Sequence, residues 1–301
     1  MEAQGSCRMS TWLRWARSAD SHLEFMSTYD ASCLLLLHHE LMRFARVLMD
    51  NRARWVRAET GDMVTCLSDV PWQFGSQLTD QTVPLDAVRL LAPAEPSKIV
   101  AVGRNYAEHA RELGLERTAT PRIFLKPPSG VVGPGAAIVY PRISQEVHYE
   151  AELAVVIGSR CRDLPPENAT AAIFGYTCAN DVTARDIQRR DGQPSFAKSF
   201  DTFCPLGPWL ETELDSAVLA IRCSVNGEQR QDGHTSDMLW AVPDLLAYIS
   251  SAMTLFPGDV VLTGTPAGVG PLLPGDEVAV SIAGIGELSN PVVADDSARL
   301  E

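Results

Sequence analysis

Residues 149–181 decide the fold, and they read YEAELAVVIGSRCRDLPPENATAAIFGYTCAND. The runs LAVVI and FGYTCA are short and apolar, which is typical of buried strands. Alternate residues of a strand point to the same side, so Glu150 and Glu152 project into one space. Two carboxylates side by side are costly unless a cation lies between them or one stays protonated. The pair therefore indicates a metal site or a general acid/base pair, although alternating charges also occur on the wet face of an antiparallel strand.

Asp181 ends the second apolar run and favours the metal interpretation. The chain between the two runs is long enough for a crossover connection, which would bring the two strand ends together. Three oxygen ligands without a neighbouring Cys or His suit a hard cation, Mg²⁺ or Mn²⁺, better than zinc. Glu150, Glu152 and Asp181 are therefore candidate metal ligands.

Composition narrows the class of protein. The chain has 301 residues, 46% of them hydrophobic, which fits one large or two modest globular domains. A net charge of −13 argues against nucleic acid and anionic membranes as partners. Seven cysteines without a CxxC pair indicate a reducing compartment, so we expect a cytoplasmic protein. The longest apolar run near the start, residues 33–37, is too short to cross a bilayer, and no signal peptide is predicted.

Changes in sequence character divide the chain. Residues 1–41 show no sustained period and are predicted to be an N-terminal extension of unknown role. From there, β-prone runs separated by Asp50-Asn51 and Gly61-Asp62 predict a small β-rich domain over residues 42–96. The buried run KIVAVG opens the main domain, residues 97–296, and residues 297–301 form a C-terminal tail.

Two segments upstream of the paired carboxylates hold further candidates. His109 and Glu112 are three residues apart in a short helical pattern, so the carboxylate can orient the imidazole for acid/base work. A solvated helix with an incidental pair also explains them. Lys126 ends the apolar run IFLK, and it is either a surface lysine or a cation that reaches into a site.

Polar residues also follow both candidate strands downstream. Arg185 and Gln188 come four and seven residues after Asp181, so a helical turn would put all three on one side. Lys198 lies in a loop of small and polar residues; a solvated helix accounts for this set as well as a site does. Thr265 comes just after a strand, where hydroxyl and N–H groups can hold a carboxylate. The chain has no dinucleotide, P-loop or GxSxG motif.

Six motifs in fixed order carry a family resemblance. They are VGRNYAEHARE, IFLKP, VHYEAELAVVIG, GYTCANDVTARDIQ, KSFDTFCPLGPW and PGDVVLTGTPAGVG. Over about residues 42–295 the chain resembles the fumarylacetoacetate hydrolase family, and MRFARV at Met42 looks like the family's own beginning. The resemblance implies an α+β fold, a mixed β-roll catalytic domain behind a small β-rich N-terminal domain, assembled as a homodimer.

The resemblance also implies roles for the candidate residues. A divalent cation, Mg²⁺ with Mn²⁺ or Ca²⁺ as alternatives, would be held by the three carboxylates at 150, 152 and 181. His109 and Glu112 would activate water, and Lys198 would contact the substrate and neutralise developing charge. The substrate-binding candidates are Arg185, Gln188, Thr265 and Lys126.

One departure from the family pattern guides the prediction of activity. Arg104-Asn105-Tyr106 stands where fumarylacetoacetate hydrolase itself has an additional aspartate ligand, so the chain resembles the acylpyruvate hydrolase and oxaloacetate decarboxylase branch. We predict metal-dependent cleavage of a C–C bond in an acylpyruvate-type 2,4-dioxo acid, giving pyruvate and a carboxylic acid. The alternatives are an oxaloacetate-type decarboxylase, a 2-hydroxyhepta-2,4-diene-1,7-dioate-type isomerase of aromatic catabolism, and a non-catalytic module that binds a structural Ca²⁺. The expected partner is a small 2-oxo acid, with no nucleic acid and no membrane.

Overall fold

The computed structural model describes residues 42–112 and 119–295, apart from the side chains of residues 109, 110 and 112. Strands make up most of the regular structure. The first ten are β1 (Arg43–Met49), β2 (Arg52–Ala58), β3 (Met63–Leu67), β4 (Leu78–Pro84), β5 (Arg89–Leu91), β6 (Ile99–Gly103), β7 (Arg122–Lys126), β8 (Val131–Val132), β9 (Ile138–Tyr140) and β10 (Val147–Tyr149). The next ten are β11 (Ala151–Ile157), β12 (Ile173–Asn180), β13 (Thr183–Ala184), β14 (Cys204–Glu211), β15 (Ala220–Val225), β16 (Glu228–His234), β17 (Val260–Leu262), β18 (Gly270–Leu272), β19 (Glu277–Ile282) and β20 (Gly286–Ala294).

The described helices are short. They are α1 (Ala107–Glu112), α2 (Pro166–Ala169), α3 (Arg185–Asp191) and α4 (Val242–Ala252), with 3₁₀ turns at Leu85–Ala87, Pro128–Gly130, Thr170–Ala172, Phe196–Lys198 and Thr235–Asp237. α4 forms because Val242, Leu245, Leu246 and Ile249 recur at helical spacing and bury one face. Within residues 42–112 and 119–295, none of the helices is long and apolar enough to cross a membrane.

One large mixed sheet organises the described chain. Its strands run in the order β4-β3-β2-β1-β14-β12-β11-β17-β6-β7, with β5 on β1 and β8 on β14. The β17–β6 and β14–β8 pairs are parallel, and the other pairs of this sheet are antiparallel. β1 pairs with β14, so the strands of residues 42–96 continue the sheet of the following segment. The domain boundary after residue 96 stays a prediction.

Two smaller sheets complete the fold, in the orders β13-β10-β18 and β16-β15-β19-β20-β9. In these sheets and in the large sheet, Asn, Asp and Gly residues form the tight turns that connect paired strands. Asn226 and Gly227 connect β15 to β16 with φ angles of 52° and 79°. Asp50 and Asn51 connect β1 to β2 with φ angles of 51° and 59°. Asn, Asp and Gly tolerate this left-handed region, which two-residue hairpin turns require.

β11 lies at the centre of the core and is buried along its whole length. Leu153, Val155 and Ile157 pack into the cluster that contains the apolar residues of α4, β15 and β19. Ala154 and Val156 point the other way, into a cluster with residues of β1, β2, β14 and β17. Because both faces of the strand are covered, its sequence is a continuous apolar run.

The predicted crossover between the two apolar runs is wrong. β11 and β12 are antiparallel neighbours, with Ala151 opposite Asn180 and Leu153 opposite Cys178. The intervening chain forms only α2 and a 3₁₀ turn. Antiparallel pairing places the start of one strand beside the end of the other, so the two strand ends still meet.

Candidate active site

Three carboxylates meet at one end of the β11–β12 pair. Glu150 immediately precedes β11, Glu152 is the second residue of that strand, and Asp181 follows β12. One oxygen from each lies within 4.8 Å of the others, and all three residues are buried. The antiparallel register accounts for this, because it puts Glu150 next to Asp181. We refer to these three residues as the carboxylate triad.

Hydrogen bonds to the main chain fix the triad. The N–H of Asp181 donates to the carbonyl of Glu150 at 2.8 Å, and the N–H of Glu150 donates to Oδ1 of Asn180 at 2.9 Å. Oε2 of Glu152 accepts from the N–H of Gly264 at 2.7 Å. Gly264 has a φ of 95°, and a Cβ there would lie 2.7 Å from the Cβ of Asn105. Glycine is therefore required for this contact.

Three cationic side chains neutralise two members of the triad. Nζ of Lys198 donates to Oε2 of Glu150 at 2.9 Å and to Oδ2 of Asp181 at 2.6 Å. Nζ of Lys126 donates to Oδ1 of Asp181 at 2.6 Å. Arg185 donates through Nη2 to Oε1 of Glu150. Burial alone would lower the pKa of Lys198, but the neighbouring Asp181 and Glu150 carboxylates outweigh burial and raise it, so the ammonium form is favoured.

Glu152 differs from its two neighbours because it forms no ion pair with any residue that the structure describes. Burial, and then the charges of Asp181 and Glu150, raise the pKa of Glu152 well above its usual value. A divalent cation would neutralise this charge in place of a proton. The triad offers only carboxylate oxygens, which Mg²⁺ and Mn²⁺ prefer. The residues present therefore fit a divalent cation.

A cavity of about 430 Å³ opens onto the triad, and two of its polar side chains are oriented by neighbours. Oγ1 of Thr265 accepts from Nε2 of Gln231 at 2.8 Å, which leaves the hydroxyl proton of Thr265 free to be donated. Oε1 of Gln188 accepts from Nη1 of Arg185 at 2.9 Å, which leaves the amide N–H groups of Gln188 as donors. Both groups suit a ligand that carries a carboxylate.

The structure brings eight of the ten predicted site residues together around this cavity or the triad. They are Lys126, Glu150, Glu152, Asp181, Arg185, Gln188, Lys198 and Thr265. Lys126 is not the surface lysine that the sequence also allowed, since its side chain is 0% exposed. It contacts Asp181 and is not part of the cavity lining, and the substrate contact predicted for it stays a prediction.

Of two further predictions from residue spacing, one is wrong and one is untested. Asp181 lies outside α3 and is separated from it by β13, so it does not share a helical turn with Arg185 and Gln188. All three nevertheless line the cavity. The side chains of His109 and Glu112 lie outside the described part of the structure, so the dyad stays a prediction.

Sequence reasoning missed the arginines of the cavity wall, Arg104, Arg122 and Arg189. For Arg122 a signal was present. In the strand sequence RIFLK, residues two apart share a side, so Arg122 and Phe124 point the same way as Lys126. Arg104 follows the last residue of β6, and the sequence marked it only as a departure from the family pattern, without a role.

Comparison with known proteins assigns the family. A family model described as fumarylacetoacetate (FAA) hydrolase C-terminal matches residues 98–293, well over half of the chain. The chain belongs to the fumarylacetoacetate hydrolase family. A second model, described as Rv2993c-like, N-terminal, matches residues 42–93. The predicted family and its α+β fold are thereby confirmed, and family members include both hydrolases and isomerases.

Several members of the family are similar over most of their length. Protein Rv2993c of Mycobacterium tuberculosis is 51% identical over 224 residues, covering 73% of this chain and 84% of that protein. Human oxaloacetate tautomerase FAHD2A, mitochondrial, is 46% identical over 224 residues, covering 70% of this chain and 71% of that protein.

Solved structures of the family share the fold. The crystal structure of 2-hydroxyhepta-2,4-diene-1,7-dioate isomerase from Mycobacterium marinum has a TM-score of 0.79 and 43% identity, covering 85% of this chain and 99% of that one. Maleylpyruvate hydrolase from Sphingobium sp. SYK-6, in complex with manganese(II) and pyruvate, has a TM-score of 0.70 and 33% identity, covering 84% and 99%. The manganese(II) ion of that relative is one that prefers oxygen ligands, and the triad of this chain offers oxygen ligands.

Proposed function

We propose that this protein is a divalent-cation-dependent tautomerase or isomerase that moves a proton on a small 2-oxo acid. The observation that carries the proposal is the buried carboxylate triad, which fits a divalent cation and faces a cavity with oriented carboxylate-binding donors. A 2-oxo acid has a carboxylate and an adjacent carbonyl, and both are oxygen donors for such a cation. The non-catalytic alternative has less support, because a structural ion needs no open cavity beside it.

When bound, the cation would act as a Lewis acid that polarises the 2-oxo carbonyl and favours the enolate form of the substrate. The protein's own residues supply the remaining functions. Thr265 and Gln188 donate hydrogen bonds to the substrate carboxylate, and they fix its orientation in the cavity. Lys198 adds a buried positive charge beside the position where negative charge develops. His109 and Glu112 move the proton, His109 as the base and Glu112 as the group that orients it.

Sequence identity to relatives of named activity favours proton transfer over C–C cleavage. The relatives named oxaloacetate tautomerase and 2-hydroxyhepta-2,4-diene-1,7-dioate isomerase are 46% and 43% identical to this chain. The fumarylacetoacetate hydrolase from Exiguobacterium antarcticum is 39% identical, and the maleylpyruvate hydrolase is 33% identical. A tautomerase also needs no position for an attacking water, only a base within reach of the carbon next to the carbonyl.

Hydrolysis of an acylpyruvate is the second candidate, and the manganese and pyruvate complex of maleylpyruvate hydrolase favours it. In that reaction the His109–Glu112 pair would activate water to attack the distal acyl carbonyl, and pyruvate would be released. Oxaloacetate decarboxylation uses the same cation chemistry but gives CO₂. The three reactions therefore have different products and can be separated by product analysis.

The test is a comparison of rates with Mg²⁺ or Mn²⁺ present. We expect the protein to accelerate the loss of enol absorbance from oxaloacetate above the rate with the cation alone, and faster than it releases pyruvate from acetopyruvate. Glu152→Gln should abolish the acceleration, whereas Glu228→Gln, which alters an exposed ion pair with Arg230, should not. Faster pyruvate release from acylpyruvates would replace the tautomerase by the hydrolase. Pyruvate and CO₂ formation from oxaloacetate would indicate a decarboxylase.

Further parts of the proposal rest on the family. Mg²⁺ as the cellular ion, assembly as a homodimer and a role in aromatic catabolism are expectations of this kind, and the cytoplasmic location is an expectation that rests on cysteine usage. Light scattering of the purified protein would test the homodimer, and metal analysis of protein purified without added cations would test the ion.

A further inference from the structure

Two arginines come together on the wall of the same cavity. Arg104 follows Gly103, the last residue of β6, and Arg122 is the first residue of β7. The register places Gly103 opposite Arg122, so the two arginines arise from neighbouring positions of an antiparallel pair. Both line the cavity that opens onto the triad.

Neither arginine is neutralised by a residue that the structure describes. Lys126, Lys198 and Arg185, the cations beside the triad, each pair with a triad carboxylate. Arg189, also on the cavity wall, pairs with Glu146. Arg104 and Arg122 form no ion pair or hydrogen bond with a described side chain, and burial together with the charge of Arg122 lowers the pKa of Arg104. Two unneutralised arginines on the same cavity wall, in a protein of net charge −13, indicate a binding position for an anion.

The backbone at Arg104 supports this interpretation. Its φ is 60°, in the left-handed region that a non-glycine residue enters only at an energetic cost. The next residue holds the conformation, because the side-chain amide of Asn105 donates to the carbonyls of Trp240 at 3.0 Å and Thr263 at 2.8 Å. The loop thus keeps a strained residue at the cavity wall, a pattern that is common at ligand sites.

β7 connects this arginine pair to the triad. Arg122, Phe124 and Lys126 share one side of the strand, and Nζ of Lys126 contacts Asp181. At about 3.3 Å per residue, the Cα atoms of Arg122 and Lys126 lie roughly 13 Å apart along the strand. Phe124 lies between them, and its ring lies 5.2 Å from Nζ of Lys198. The row therefore runs from Arg122 on the cavity wall, past an aromatic surface, to the buried lysine that holds Asp181 of the triad.

We propose that Arg104 and Arg122 bind the second carboxylate of a dicarboxylic 2-oxo acid whose first carboxylate and carbonyl lie at the triad. This inference rests on the proposed function, because the triad must bind the 2-oxo acid end. It makes the arginine pair the determinant of substrate class, selecting diacids over acids with a neutral tail. The chain of the diacid would pass over Phe124.

Calorimetry with Mg²⁺ present tests the inference by binding alone. The probes are 2-oxoadipate and 2-oxohexanoate, which share a 2-oxo acid head and differ in whether the tail ends in a carboxylate. We expect Arg122→Gln and Arg104→Gln each to weaken 2-oxoadipate binding at least tenfold, as for a charged hydrogen bond, and to change 2-oxohexanoate binding less than twofold. Arg122→Glu should weaken 2-oxoadipate binding further. Arg222→Gln, which alters an exposed pair with Asp232, is the matched control and should change neither affinity.

The outcomes separate the two proposals. Equal weakening of both probes by the arginine variants, or no weakening of either, overturns the arginine subsite while leaving the 2-oxo acid site in place. Failure of the unaltered protein to bind either probe overturns the proposed function, and the subsite with it. Arg122 is exposed at the start of its strand, so Arg122→Gln keeps the test valid if Arg104→Gln fails to fold.

Discussion

Substitutions in the triad should separate ion pairing from cation binding. In the cation-free protein, Asp181→Asn removes the carboxylate that pairs with Lys126, whose side chain is 0% exposed. Lys198 keeps its second ion pair, with Glu150. Removing one partner of a buried ion pair costs about 3–5 kcal/mol. At 2–4 °C per kcal/mol, Tm should fall by roughly 10 °C. Glu152→Gln should change the free energy of unfolding by less than about 1 kcal/mol, because Glu152 has no such partner among the described residues and its charge is disfavoured by burial.

The assay is urea unfolding followed by circular dichroism, first in EDTA and then with Mg²⁺ added. Mg²⁺ should stabilise the unaltered protein, and it should stabilise neither variant appreciably, because each has lost a ligand. Glu228→Gln, at an exposed pair, should stay within about 0.5 kcal/mol of the unaltered protein. If Asp181→Asn and Glu152→Gln destabilise the cation-free protein equally, the asymmetric ion pairing described for the triad is wrong.

Three further predictions concern pH, the dyad and the N-terminal extension. Burial, and then the charges of Asp181 and Glu150, raise the pKa of Glu152, so its protonated form stabilises the cation-free protein at low pH and this stability is lost as pH rises through the raised pKa. Mg²⁺ competes with this proton, so Mg²⁺ affinity should increase with pH, by up to tenfold per pH unit. Calorimetry in two buffers of different ionisation enthalpy should detect the released proton. His109→Ala should lower the rate of tautomerisation or acylpyruvate cleavage about 10²–10⁴-fold and affect oxaloacetate decarboxylation much less, and an unchanged rate would exclude His109 as the base. A shortened chain that begins at Met42 should keep its activity, because the family matches cover residues 42–93 and 98–293; loss of folding would show that residues 1–41 contribute to the core.

Local sequence patterns predicted the parts of the site that depend on single strands. The alternation around Ala151 placed Glu150 and Glu152 together, and the end of the second apolar run placed Asp181 near them. The partner strand was harder to predict, because a connection of this length fits a parallel crossover as well as the antiparallel pair that forms. Pairing depends on contacts between distant segments, which periodicity does not contain.

Contacts across the fold explain the remaining gaps. The ion pairs of Lys126 and Lys198 with Asp181 join three separate segments, and no spacing rule relates them. Arg104 lies at the cavity wall with a left-handed backbone. The next residue, Asn105, fixes this backbone by hydrogen bonds to the carbonyls of Trp240 and Thr263, so the position of Arg104 depends on distant segments. Predicting it required the tertiary structure.

The place of β7 in the large sheet has a consequence for how the protein can diversify. The triad lies where β11 and β12 meet, and both strands have neighbours on each side. β7 is the last strand at its edge of the sheet, and Arg122 is exposed at its start. Substitution at an edge disturbs fewer neighbours than substitution in the middle. Evolution, or a protein engineer, can therefore change which acid is accepted by altering the exposed start of the edge strand, while Lys126 at its buried end and the cation-binding strands stay unchanged.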